Sequence, residues 1–120
     1  MSFPDLEEAR QYHQSLRELV LYRTGGADPR ARTEAARLCR LAGEIIEDEQ
    51  CREYLRLIRD RSADFFSDDA HLRWQRSTLS GIYVLRLQLL RTVDALGLRL
   101  DSIEQARARI PGRPERPQML

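Results

Sequence analysis

Lysine and asparagine are absent from this chain, and all 20 of its basic residues are arginine. Arginine pairs in a bidentate fashion with carboxylates and phosphates. The codons of both missing residues are AT-rich, however, so a GC-rich genome accounts for the bias without selection for a ligand. A 7% aromatic content and five prolines leave little room for a β-rich fold. The longest uninterrupted apolar runs, such as Leu19 to Tyr22 and Ile82 to Leu85, are four residues long. That is far short of the roughly 20 that span a bilayer, so no membrane crossing is expected.

Cysteine is scarce as well. Cys39 and Cys51 lie in helical patterns, without CxxC spacing or nearby histidine, which points to reduced, partly buried thiols rather than a disulfide or a zinc site. The acidic start, Met1 to Glu8, lacks the basic and apolar regions of a secretory signal, making a cytoplasmic location the expectation.

No GxSxG, P-loop, GxGxxG, HExxH or Cys-His motif occurs. The histidines, His13 and His71, would be the natural start of a catalytic search. Neither has glutamate three residues before it, so the Glu-x-x-His pattern of a di-iron bundle is missing. Structural or surface roles are expected for both, with no catalytic residues, metal or cofactor.

What is present is helical periodicity in a chain of 120 residues, enough for one domain with a core of its own. In the first segment Leu6, Ala9, Tyr12, His13, Leu16, Leu19 and Val20 share one face, behind a start marked by Ser2, Pro4 and the acids Asp5, Glu7 and Glu8. Thr24 to Ala27 ends that helix, and Asp28-Pro29 supplies an N-cap and first-turn residue for the next. The second helix lines Ala31, Ala35, Leu38, Cys39, Leu41, Ala42, Ile45 and Ile46 on one face. From Cys51 onward the apolar set, Tyr54, Leu55, Ile58, Phe65 and Phe66, points nearly the opposite way. A break at Glu47 to Gln50, with Asp48 capping a third helix, explains the reversal; one long helix passing between two packing environments is the alternative.

Ser67-Asp68-Asp69 is a further start signal, for a helix running to about Leu98. Gly97 marks its expected end, and capping-box spacings at Asp101/Glu104 and Ser102/Gln105 predict a short fifth helix to about Arg109. Pro111 to Pro117 reads as an extended tail. The expected architecture is all-α and bundle-like, mostly antiparallel, with helices near 3–24, 28–47, 49–66 and 68–98. The short fifth helix completes a single domain over 1–110, and 111–120 form a flexible Pro/Arg-rich tail.

Leu79 to Leu100 carries apolar residues over an arc of roughly 200°, against the roughly 100° of an ordinary surface helix. Such a helix should meet several neighbours. Arg86 falls inside that arc, where its guanidinium either snorkels to water or needs a partner. Glu44, Glu47, Asp48 and Glu49 are candidate carboxylates, in the same subunit or a second copy. The expectation is a non-catalytic protein–protein interaction module, a homodimer contacting its partner through the 68–98 helix with Arg86, Trp74, Tyr83, Leu85 and Leu89.

Two alternatives stand beside it. Net charge is +1, but residues 1–70 carry −4 and residues 71–120 carry +5, which neutralise each other within the fold or across a self-association interface. Arg30, Arg32, Arg37 and Arg40, with Arg107, Arg109, Arg113 and Arg116 near the C-terminus, are candidate nucleic-acid contacts. Interleaved acids, including Glu34, Glu44 and Glu47, favour a solvated face instead. The other alternative is a bundle holding a small anionic or hydrophobic ligand around Arg86.

Overall fold

The computed structural model describes residues 3–67 and 81–109. They form four helices, α1 (Pro4–Tyr22), α2 (Pro29–Ile45), α3 (Glu49–Phe65) and α4 (Gly81–Arg109), with no strand among the described residues. His71, Trp74, Leu79, Arg113, Arg116, the expected helix start at Ser67 to Asp69 beyond Ser67 itself, and the 111–120 tail lie outside the described residues.

Local chemistry sets most of the boundaries. Pro4 opens α1, where its missing N–H is no loss, and Asp5 and Glu7 occupy the first turn. Asp28 caps α2 by accepting the Ala31 N–H at 3.1 Å, with Pro29 in the first turn. Between them, Gly26 adopts φ 99°, in the left-handed region that suits glycine. Its N–H donates to Phe65 O at 2.7 Å, and the Asp28 N–H donates to Phe66 O at 3.2 Å. The α1–α2 loop is thereby tied to the end of α3.

The phase reversal in the sequence is a genuine break. Ile46 leaves helical geometry at φ −107°, ψ 115°, and Asp48 begins α3 by accepting the Cys51 N–H at 2.9 Å.

The four helices close into a ring in which α1 contacts α2 and α4, and α3 contacts α2 and α4. Cross-helix pairs give the directions. On α1 and α4, Asp5 meets Arg107, Arg10 meets Asp101 and Glu104, Arg17 meets Asp94, and Arg23 meets Arg86, so the two run antiparallel. Asp48 meets Arg99 and Arg61 meets Thr92, making α3 antiparallel to α4 as well. The core holds Leu6, Leu16 and Val20 of α1, Ala35 and Leu38 of α2, Leu55, Ile58 and Phe65 of α3, and Leu89, Val93 and Leu100 of α4. Burying one such aliphatic side chain stabilises the fold by about 1.5–3 kcal/mol.

Two expectations need correction. No separate fifth helix forms: α4 continues unbroken through Gly97 to Arg109. Asp101 and Glu104 are not capping groups but carboxylates for Arg10, at 2.8 and 2.5 Å, and Arg107 pairs with Asp5 at 2.9 Å. These bonds hold the last turns of α4 against α1. The broad apolar arc of the last helix is also not enclosed on all sides. Leu85, Leu89, Val93, Leu96 and Leu100 are buried, whereas Tyr83 and Leu87 are exposed and Leu90 is half-buried.

Candidate functional site

Arg86 finds a backbone partner rather than a carboxylate. Its Nη2 donates to Arg23 O at 2.8 Å, just beyond the end of α1, and its guanidinium carbon stands 5.3 Å from the centroid of the Phe65 ring. A cation at a helix C-terminus meets the negative end of the helix dipole and a carbonyl that lacks an intrahelical donor; the ring face adds a cation–π contact. Its Nε is buried and has no hydrogen-bond partner among the described residues. The expected carboxylates of the same subunit are out of reach: Asp48 starts α3 and Phe65 ends it, about 25 Å apart at 1.5 Å per residue.

The acid that does enter a cross-helix pair from that cluster is Asp48. It accepts from Arg99 Nε at 3.0 Å and Nη2 at 2.7 Å while capping α3. The Arg99 guanidinium, aided by the Cys51 N–H, holds the Asp48 carboxyl well below the usual carboxylate range. Burial pushes both thiols the other way: Cys39 and Cys51 rise to about 12, with Asp48 adding to the shift at Cys51. At neutral pH both are protonated and poor nucleophiles.

His13 is a structural tie. Its Nε2 lies 2.8 Å from Val93 O, which can only accept, so Nε2 carries the proton and donates from α1 to α4. Among the described residues no group of three or more His, Cys, Asp or Glu side chains is arranged to hold a metal. No described helix is long and apolar enough to cross a membrane.

Of the eight candidate nucleic-acid arginines, the six among the described residues do not converge. Arg30 and Arg32 are exposed at the start of α2, beside the end of α3, while Arg107 and Arg109 lie at the opposite end of the bundle, where Arg107 pairs with Asp5 and stacks over Phe3 at 5.5 Å. Arg37 and Arg40 instead border a groove of about 690 Å³ between α2 and α3. Arg52, Arg56 and Arg59 form its other lip, and Thr33, Ala36, Cys39, Gly43 and Leu55 line it between them. Those three α3 arginines went unnoticed in the sequence, although their i, i+4, i+7 spacing places them on one helix face.

The last helix offers a second surface. Leu85 and Leu89 are buried within the subunit, so any partner meets other residues of α4. Tyr83, Leu87 and Leu98 are 57%, 41% and 68% exposed. With Leu90 and Asp94 they fall within an arc of roughly 80°, directed away from the core. Leu98 also borders a cleft of about 220 Å³ formed with Gln50, Tyr54, Ala95, Arg99 and Ser102.

Comparison with protein-family models, curated proteins and solved structures finds no match to this chain. The class defined by the described residues is an all-helical, antiparallel four-helix bundle.

Proposed function

We propose that this chain is a non-catalytic helical interaction module that pairs with a second copy of itself through the outward stripe of α4. One observation carries the proposal: Tyr83, Leu87 and Leu98 are exposed on the same face of one helix. Apolar side chains exposed along one helix face, here interrupted by Asp94 with its Arg17 partner, are costly to leave in water and a common mark of an interface.

The spacing suits a two-fold contact. Tyr83 and Leu98 are equidistant along α4 from the Leu90–Arg91 midpoint, and so are Leu87 and Asp94. Two copies of the helix crossing antiparallel at that midpoint bring Tyr83 of one copy against Leu98 of the other, the self-complementarity an isologous interface requires. Arg86 has its partner inside the subunit, so the contact rests on Tyr83, Leu87 and Leu98 rather than on an interchain ion pair. Nucleic-acid binding is less well supported, because Arg30 and Arg32 lie at one end of the bundle and Arg107 and Arg109 at the other. Light scattering after size exclusion tests the proposal: the wild type should approach dimer mass as concentration rises, and Leu98→Glu should remain a monomer. A wild-type monomer throughout, or a Leu98→Glu dimer, would reject it.

A further inference from the structure

The groove between α2 and α3 combines two features that ordinary solvated helix faces do not. Its interior is small or apolar: Ala36 and Gly43 of α2 line it over the buried Leu55 of α3, whose Cδ1 lies 3.8 Å from where a Cβ on Gly43 would sit. Both of its lips are cationic, with Arg37 and Arg40 on one side and Arg52, Arg56 and Arg59 on the other.

Four of these arginines already touch carboxylates, but only through exposed pairs within their own helices. Arg37 meets Glu34, Arg40 meets Glu44 at 3.4 Å, Arg56 meets Glu53 and Asp60, and Arg59 meets Asp60 at 3.3 Å. Such pairs are weak, so these guanidiniums are free to turn toward an incoming anion. Arg52 has no carboxylate partner among the described residues.

From this we infer that the groove receives an acidic amphipathic helix of a partner protein, laid along the α2–α3 seam with its apolar side chains on Ala36 and Gly43 and its carboxylates against the arginines of both lips. Arg52, Arg56 and Arg59 are spaced at successive turns, so their guanidiniums match carboxylates at the same i, i+4, i+7 spacing on a helix lying alongside. Apolar anchors in a groove with charged flanks are the usual basis of helix-in-groove recognition. A nucleic-acid backbone would use the cations but has nothing apolar to place on Ala36 and Gly43. The site is separate from the α4 stripe, since α2 lies diagonally across the ring from α4.

The test uses a panel of synthetic amphipathic helices of about five turns, leucine on one face and glutamate on both flanks, with glutamine-flanked and lysine-flanked counterparts and a mixed-sequence DNA duplex. Binding to the full chain is followed by fluorescence anisotropy at two salt concentrations. Members of the glutamate panel should bind, more weakly at high salt, and the glutamine counterparts should not. Arg52→Glu/Arg59→Glu should lower glutamate-peptide affinity at least about tenfold and raise affinity for the lysine counterparts, while leaving the Arg56 pairs with Glu53 and Asp60 intact. Ala36→Trp, which fills the groove without changing charge, should also weaken binding. Circular dichroism checks that each variant is folded. The inference is overturned if no glutamate peptide binds, if the glutamine peptides bind equally, if both folded variants bind as the wild type does, or if the DNA duplex binds better than any peptide. A loss of self-association in Arg52→Glu/Arg59→Glu would assign the groove to the dimer contact and overturn it too. Failure of the α4 proposal changes none of these outcomes.

Discussion

The imidazole of His13 occupies the space that a side chain at position 97 would need. A Cβ built on Gly97 would lie 2.8 Å from His13 Cε1 and 2.9 Å from Nε2, and that same Nε2 is held 2.8 Å from Val93 O. Gly97 is therefore part of the α1–α4 contact, and its helical backbone explains why α4 does not end there.

An alanine at an unconstrained helix interior gains about 1 kcal/mol over glycine. Gly97→Ala in the wild-type background should instead lower stability, because the ring must leave its seat and its hydrogen bond. In a His13→Ala background the same change should be stabilising. The two effects should differ by about 1–3 kcal/mol in a double-mutant cycle read by urea unfolding. Equal effects in both backgrounds would show that the ring and the glycine act independently.

This pair also shows where the sequence stopped being informative. The starts of α2 and α3 were legible because Asp28 and Asp48 bond to N–H groups only three residues away. A glycine followed by Asp101 and Glu104 looks locally like a helix end and restart. What overrides that signal is the arrival of His13 and Arg10 from α1, more than 80 positions away in the chain. The helical wheel put Arg86 inside the apolar arc, whereas the folded chain leaves it half-buried; a wheel also carries no height along the axis. It could not show that Phe65 and Arg23, rather than Asp48, lie level with Arg86. The α2–α3 groove was missed for a related reason: Arg37 and Arg40 face Arg52, Arg56 and Arg59 only once the antiparallel register is known.

Asp48 gives the fold an acid-sensitive point. Its folded-state pKa is depressed by Arg99 and by the Cys51 N–H, so its contribution is present above the unfolded carboxylate value of about 3.9 and is lost as pH falls toward the folded value. Asp28 is shifted in the same direction by Arg23 and the Ala31 N–H. Stability should therefore fall on acidification below about pH 4. Asp48→Asn keeps an N-cap acceptor but removes the charge, and should cost about 1–2 kcal/mol at neutral pH. The deficit relative to wild type should shrink as pH drops; urea midpoints across the acid range measure it. A deficit independent of pH would mean that the Arg99 pair contributes nothing through charge.

Replacing Arg86 with methionine separates its two possible roles. The structure has Arg86 capping α1 within its own subunit, by donating to Arg23 O and standing over Phe65. Arg86→Met should lower stability by about 1–2 kcal/mol, from the loss of a charged hydrogen-bond donor and the ring contact. Dimer mass should be unchanged at concentrations where the variant is folded. Loss of the dimer with unchanged stability would place Arg86 in the interface instead.

Ser62 offers the reverse test, a polar group whose removal should help. It lies on the inner face of α3, fully buried, with Phe65 one turn further on. Its hydroxyl has no hydrogen-bond partner among the described residues. A buried hydroxyl that exchanges water for nothing is a net cost, and serine is also a poorer helix former than alanine. Ser62→Ala removes one oxygen and leaves almost no void, so thermal and urea unfolding should both show a gain of about 0.5–1.5 kcal/mol. A loss of similar size would mean that the hydroxyl is paired in solution, and that the end of the bundle near Phe65 holds a bonded water or a further contact.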